Sequence, residues 1–228
     1  MANETVGINE TQVHEALTAF FRKANEVVTT LPQEIQRNVF GELNEGWVTV
    51  FGKNKQTEYV NELNQAFEKA ARNYTSVLKT IDEAAQKVGT IDQDDPYTSL
   101  KYDVDNTKIK TDGIKSEVGG KHYIYDEKIK NAIKALDSIL GSNGKIETYK
   151  EELRKTCRDS GLYSHDNKLE TSVGNLIDAA TKDVRNKLEG IRSRITRLLT
   201  STTQTATEAK NNAHARLSEG HRITGQQI

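Results

Sequence analysis

Apolar side chains at Val60, Leu63, Phe67, Ala70, Tyr74, Val77, Ile81, Ala84 and Val88 follow one another in alternating steps of 3 and 4. That spacing keeps every one of them on a single face of an α-helix. Gly89 then supplies a stop. A helix of ~34 residues here would be ~50 Å long. A stripe of that length cannot be buried by the helix itself. It demands an antiparallel partner, and the segment before it is the natural candidate.

That preceding segment carries the same signature. Asn9 and Gln12 read as a capping box, each side chain covering an otherwise unpaired backbone N–H. Val13, Leu17, Phe20, Ala24, Val27 and Leu31 then mark a seam. Pro32 removes a helical hydrogen bond and predicts a kink or short break. Helix is expected to resume through Ile35 and Val39 to about Leu43. Residues 44–55, with Gly46, Trp47 and Gly52, are expected to form the turn into the long helix.

Residues 89–125 lose the helical period. Asp112-Gly113 lies between two alternating runs, Thr107–Thr111 and Ile114–Val118, so this linker reads either as solvated and irregular or as a small β-hairpin. The acidic run from Asp92 to Pro96 does not match calcium-loop spacing, and no metal is assigned. The helical pattern returns at Ile129, Ile133, Leu136 and Leu140, pauses at Gly141–Gly144, and resumes at Ile146, Tyr149 and Leu153. A second turn is expected over Asp159–His165. The last long helix carries Leu169, Val173, Leu176, Ala180, Val184, Leu188, Ile191, Ile195 and Leu198. Residues 201–228 are polar and read as a flexible or frayed helical tail.

The two halves look alike. Gly46-Trp47 in the first turn matches Gly161-Leu162 in the second, and Asn54-Lys55 matches Asn167-Lys168. Val60, Leu63 and Phe67 correspond in spacing to Val173, Leu176 and Ala180. Each half therefore reads as helix–turn–helix. The expected fold is all-α: two long antiparallel hairpins, 9–88 and 126–200, packed as one intramolecular four-helix bundle and joined by the linker. Such a pseudo-dimer in one chain is expected to be monomeric.

Several functional classes find no support. The net charge is −1, which offers nucleic acid no concentrated basic surface. The local run Lys182, Arg185, Lys187, Arg192, Arg194 and Arg197 is interrupted by Asp183 and Glu189 and reads as a solvated helix face. Cys157 is the single cysteine; neighbouring cations could activate it, but a packed thiol is the simpler reading. His14, His122, His165, His214 and His221 show no metal spacing, and Asp166 reads as a helix cap. No phosphate loop or nucleophile elbow is present. The chain is therefore read as a non-enzymatic protein-binding module without cofactor. No apolar run approaches the ~20 residues of a membrane span. Met1–Glu10 lacks the pattern of a secretory leader, so any export is expected to dispense with a cleaved signal peptide.

Long antiparallel helices with Trp and Gly in the turn between them make residues 9–88 resemble the ESAT-6-like (Trp-Xaa-Gly, WXG) family of type VII secretion substrates. The resemblance implies small helical hairpins that associate as four-helix bundles and leave the cell without a cleaved leader. On that reading the chain is a fused pair, with the secretion ATPase as a candidate partner. In the family the Trp-Gly turn adjoins the other hairpin's helix end and forms part of a composite recognition surface. The family's export signal is Tyr-x-x-x-Asp/Glu; here Tyr123 and Glu127 have that spacing, either as a recognition element or as the ordinary beginning of a helix. The chain departs from the pattern in having Gly before Trp47, the next Gly only at Gly52, no Trp in the second turn, and its Tyr-x-x-x-Glu before the second hairpin. Trp47 also has a plain structural role available, as a plug for the bundle end. A cytosolic helical scaffold or adaptor is the alternative function.

Overall fold

A computed structural model describes residues 8–89, 97–114 and 123–225, with the side chains of 220–225 left aside. Helix α1 spans Glu10–Ile35, a π-helical turn spans Gln36–Phe40, and α2 spans Gly41–Gly46. Strand β1 is Trp47–Val48, and α3 spans Val50–Gly89. Beyond the linker come β2 at Tyr123–Ile124, α4 at Asp126–Leu140 and α5 at Lys145–Asp159. A short 3-10 turn, Leu162–Ser164, leads to α6 at Leu169–Gly225. The fold is all-α apart from one two-stranded contact.

Helix α3 is the axis of the core. Its seam is buried from Val60 to Ala84, and Ala66, Ala71, Leu78 and Ala85 widen the seam to a band. That band lies against both α1 and α6. One connected apolar core draws on all six helices. The order of ion pairs shows that α3 and α6 run antiparallel: Lys69 meets Asp183 at 2.5 Å, Glu62 meets Lys187 at 3.2 Å, and Glu58 meets Arg194 at 3.9 Å. Much of the basic run thus faces carboxylates of neighbouring helices. Arg185 reaches Glu147 and Glu189, and Arg192 reaches Asp137.

Three local expectations change. Pro32 does not break α1; it lies inside the helix, and the irregularity falls later, in the π-helical turn. A proline at this position cannot donate to the Val28 carbonyl one turn back. That carbonyl instead accepts from Thr107 N at 3.2 Å. Only half of the capping box forms: Asn9 Oδ1 accepts from Gln12 N at 3.0 Å, while Gln12 Nε2 donates across the molecule to Asp159 O at 2.7 Å. In α6, Ile177 is fully buried, as are the seam residues on either side of it, with Leu176 half-buried against the core beside it.

The described linker residues form an extended strap. Tyr97 Oη donates to Asp82 at 2.7 Å near the far end of α3, and Gly113 O accepts from Asn44 at 2.9 Å beside α2. Between those points, Asp105 N donates to Asn25 Oδ1 and Lys110 N to Gln36 Oε1, each at 2.8 Å. Asn64 pairs with both the N–H and the C=O of Ile109, at 2.8 and 3.0 Å. No strand forms among residues 97–114, and residues 115–122, where the second arm of an Asp112-Gly113 hairpin would fall, lie outside the described residues, as does Asp92–Pro96.

Residues 201–219, read from sequence as tail, continue α6 as a helix that projects beyond its neighbours with almost every side chain exposed.

One core residue makes a testable exception to good packing chemistry. The Tyr74 side chain is fully buried, yet its hydroxyl has no hydrogen-bond partner among the described residues. Burying an unpaired hydroxyl costs about 1–3 kcal/mol. Tyr74→Phe is expected to leave stability unchanged or raise it by about 1 kcal/mol, as read by urea unfolding. A clear loss of stability would mean that the hydroxyl is satisfied by an internal water.

Candidate functional site

The turn between α2 and α3 is tighter than the sequence suggests. It needs only residues 47–49, not 44–55. Thr49 caps α3: its Oγ1 accepts from Gly52 N at 2.8 Å and its carbonyl from Lys53 N at 2.9 Å. Gly52 therefore lies in the first turn of α3, under the Trp47 ring. A Cβ at Gly52 would stand 2.6 Å from Trp47 Cδ1. Gly46 is equally enclosed, since a Cβ there would stand 2.6 Å from Lys128 Cβ and 3.2 Å from Ile129 N. The two glycines let Trp47 sink to 5% exposure between the halves of the chain.

β1 pairs antiparallel with β2, Trp47 opposite Ile124 and Val48 opposite Tyr123. Tyr125 N donates to Gly46 O at 2.7 Å. Lys128 in the first turn of α4 reaches Glu45 at 2.8 Å and Glu42 at 3.5 Å. The Trp-Gly turn and the Tyr123–Glu127 segment, which are remote in sequence, are thus held at one end of the molecule. Within that segment Glu127 accepts a bond from Tyr125 Oη at 3.1 Å. Its carboxylate holds the Tyr125 phenol above its ordinary pKa. Tyr123 itself is exposed. Of the five large apolar side chains exposed among the described residues, Val50, Phe51, Tyr123 and Tyr125 lie at this end. The fifth, Leu217, is on the projecting part of α6.

Gly161 and Leu162 lie elsewhere. Gly161 adopts φ 73°, a left-handed conformation that glycine tolerates without strain. It approaches Gln12 at the beginning of α1, and Leu162 plugs that end at 2% exposure. The two matched turns therefore close opposite ends of the molecule. His165 stays at this second turn, and Asp166 Oδ1 accepts from Lys168 N at 2.9 Å. Among the described residues, no three His, Cys, Asp or Glu side chains converge as metal ligands, and no helix is long and apolar enough to cross a membrane.

Sequence reasoning overlooked Gln56. It is buried at 1% exposure, and its Nε2 donates to Leu43 O and Trp47 O, both at 3.3 Å. This amide ties the end of α2 to the first turns of α3. The signal was present: Gly52 and Gln56 extend the seam from Val60 in steps of 4. No protein-family model, no curated protein and no solved structure matches the chain. The functional reading therefore rests on its own residues and geometry.

Two outcomes test this description. Gly52→Ala is expected to cost about 1–3 kcal/mol through overpacking and to red-shift the emission of Trp47. An unshifted spectrum at wild-type stability would show that the indole does not need the glycine.

Cys157 is fully buried, and desolvation pushes its thiol up to about 12, outweighing the bonds from Tyr163 and Thr156. Because the folded value lies above the ordinary 9, the associated stability is complete below pH 9 and declines as pH rises toward about 12. At about pH 8 a thiol-specific reagent should label the folded chain at least ~100-fold more slowly than the unfolded chain. Rapid labelling of the folded state would refute the buried-thiol assignment.

Proposed function

We propose that the chain is a fused pair of helical hairpins, α1–α3 and α4–α6, packed as one four-helix bundle, and that it acts as a non-enzymatic protein-binding module of the ESAT-6-like, type VII secretion kind. The observation that carries this reading is the pairing of Trp47-Val48 with Tyr123-Ile124. It sets the turn of one hairpin against the leading end of the other, where the Tyr-x-x-x-Glu spacing lies. That is the composite arrangement the family resemblance implies. The four exposed apolar side chains around it supply the contact chemistry. Tyr123 and Glu127 act as the recognition element, Trp47 as the buried wedge that sets their position, and a secretion ATPase as the reader. Antiparallel helices matched along their length in one chain explain why the pair needs no second subunit.

The test is export. The chain is expressed in a host that carries a type VII system, with and without its ATPase, and the culture supernatant is compared. Export is expected only when the ATPase is present. Tyr123→Ala combined with Glu127→Ala should lower it at least tenfold while circular dichroism stays unchanged. Wild-type export of the double variant would remove Tyr123 and Glu127 from the reading. Retention of the wild-type chain in every host would leave the second reading, a helical scaffold, which the projecting part of α6 favours.

A further inference from the structure

Beside the Trp47 turn, α3 and α6 flank a groove of about 350 Å³. Trp47 and Tyr59, both nearly inaccessible, form its floor together with the half-buried Leu198. Phe51, 63% exposed, stands on its rim, edge-on to Trp47 at 6.0 Å. Three cations line it: Lys55, Arg194 and Arg197. Lys55 lies 5.8 Å from the Phe51 ring, and Arg194 lies 5.4 Å from the Tyr59 ring.

The charges here depart from the rest of the α3–α6 contact. Lower down, each rung joins opposite signs, from Lys69–Asp183 through Glu62–Lys187 to Glu58–Arg194. At the groove the pattern stops. Glu58 is shared between Arg194 and Lys55. Arg197 has no ion pair or hydrogen bond among the described residues. Three cations thus face one carboxylate around an apolar floor. At the same level α3 begins, so α6 loses α3 as a neighbour, while Lys130 of α4 still lies beside Leu199, Thr203 and Thr207. The α6 seam nevertheless runs on through Leu199, Thr202, Ala206, Ala209, Ala213 and Leu217, with the last four exposed.

We propose that this groove receives an amphipathic helix from a partner protein, apolar along one face and carrying carboxylates where it meets Lys55, Arg194 and Arg197. The partner helix takes the place α3 would occupy if it were longer. Its apolar face covers Phe51, Leu198 and the α6 seam, and its carboxylates complete the unfinished charge ladder. Grooves between helices that take a further helix combine an apolar floor with a charged rim in this way. Complementary charge at the rim steers the encounter and fixes direction. The projecting part of α6 has mixed charge, Glu208, Lys210, Arg216 and Glu219, so the demand for acid is confined to the groove. The inference does not depend on the export reading, because it concerns binding by the purified chain.

The experiment uses the full chain and two synthetic peptides of about four heptads. Both carry Leu along one face; one has Glu at the flanking positions and the other has Lys there. The acidic peptide is expected to change the emission of Trp47, the single tryptophan of the chain. It should also slow amide exchange across residues 198–217 at least tenfold. The Lys peptide should bind at least tenfold more weakly. Arg197→Glu and Phe51→Ser, both at exposed positions, should each weaken the acidic peptide at least tenfold while circular dichroism stays unchanged. The proposal is overturned if the acidic peptide does not bind, if the two peptides bind alike, or if protection falls away from both the groove residues 47–59 and 194–217. It is also overturned if light scattering finds a two-copy particle that protects those amides without peptide, or if anionic phosphatidylglycerol vesicles protect them instead.

Discussion

The burial of α3 on two sides is the constraint that the rest of the structure answers. A single stripe at alternating spacing needs one neighbour, but Ala66, Ala71, Leu78 and Ala85 are buried beside the stripe and widen it. The three alanines of that second row let a neighbouring backbone come close, and both α1 and α6 lie against α3. Each large aliphatic side chain so buried is worth about 1.5–3 kcal/mol. The polar rows between the helices are then free to be ionic. They carry pairs that are half-exposed and individually weak. Their alternation fixes direction more than it adds stability. Apolar burial holds α3, α1 and α6 together, and the order of charges along α3 matches α6 running the other way.

Antiparallel packing creates a routing problem, which the linker solves. Helix α3 ends near Glu10, at the opposite end of the molecule from the beginning of α4. The chain must travel back along the helices, and an extended segment brings an unpaired N–H and C=O at every residue. Helix surfaces have no spare backbone groups to offer, because their own hydrogen bonds consume them. The solution is borrowed from side chains. Asn25, Gln36, Asn44 and Asn64 each use an amide on the strap backbone, and Asn64 serves both groups of Ile109. Pro32 adds a helical carbonyl that becomes free, at Val28. A residue that reads as a helix breaker in sequence therefore serves to dock another segment.

What the sequence revealed follows the same division. The seams were legible because burial against a parallel or antiparallel neighbour depends on spacing alone. Every seam residue of α1 read from sequence, Val13 to Leu31, is buried. The strap was not legible, since its partners are polar residues scattered over α1 and α3 with no period of their own. The π-helical turn at Gln36–Phe40 has no sequence marker beyond its closeness to Pro32. Leu176 was read as part of the α6 seam from its spacing; it packs half-buried against the core, and its neighbour Ile177 is the fully buried one of the two. At the candidate site, Gly46, Trp47 and Gly52 were legible as a set, and the structure gives each a steric reason. The contact of Trp47 with Ile124 was not, because two-residue strands carry no alternation to detect.

The two ends of the molecule are finished differently, and the difference bears on where partners can act. At the Glu10 end, Gln12 ties α1 to the Asp159 carbonyl, Leu162 is sealed, and Asp82 gathers Tyr97, Ser99 and the Leu100 amide. At the Trp47 end, Gln56 satisfies two carbonyls, yet its own oxygen is buried without a partner among the described residues. Phe51, Tyr123 and Tyr125 stand in solvent there, and Arg197 lacks a counter-charge among the described residues. An unfinished end is costly only while it remains uncovered. A helix bundle must expose its side faces to water, so those faces are charged and alike along their length. Its ends are where the chain can keep apolar surface available without inviting lateral association. The Trp47 end, with the projecting part of α6 beside it, is where the described chain keeps such surface.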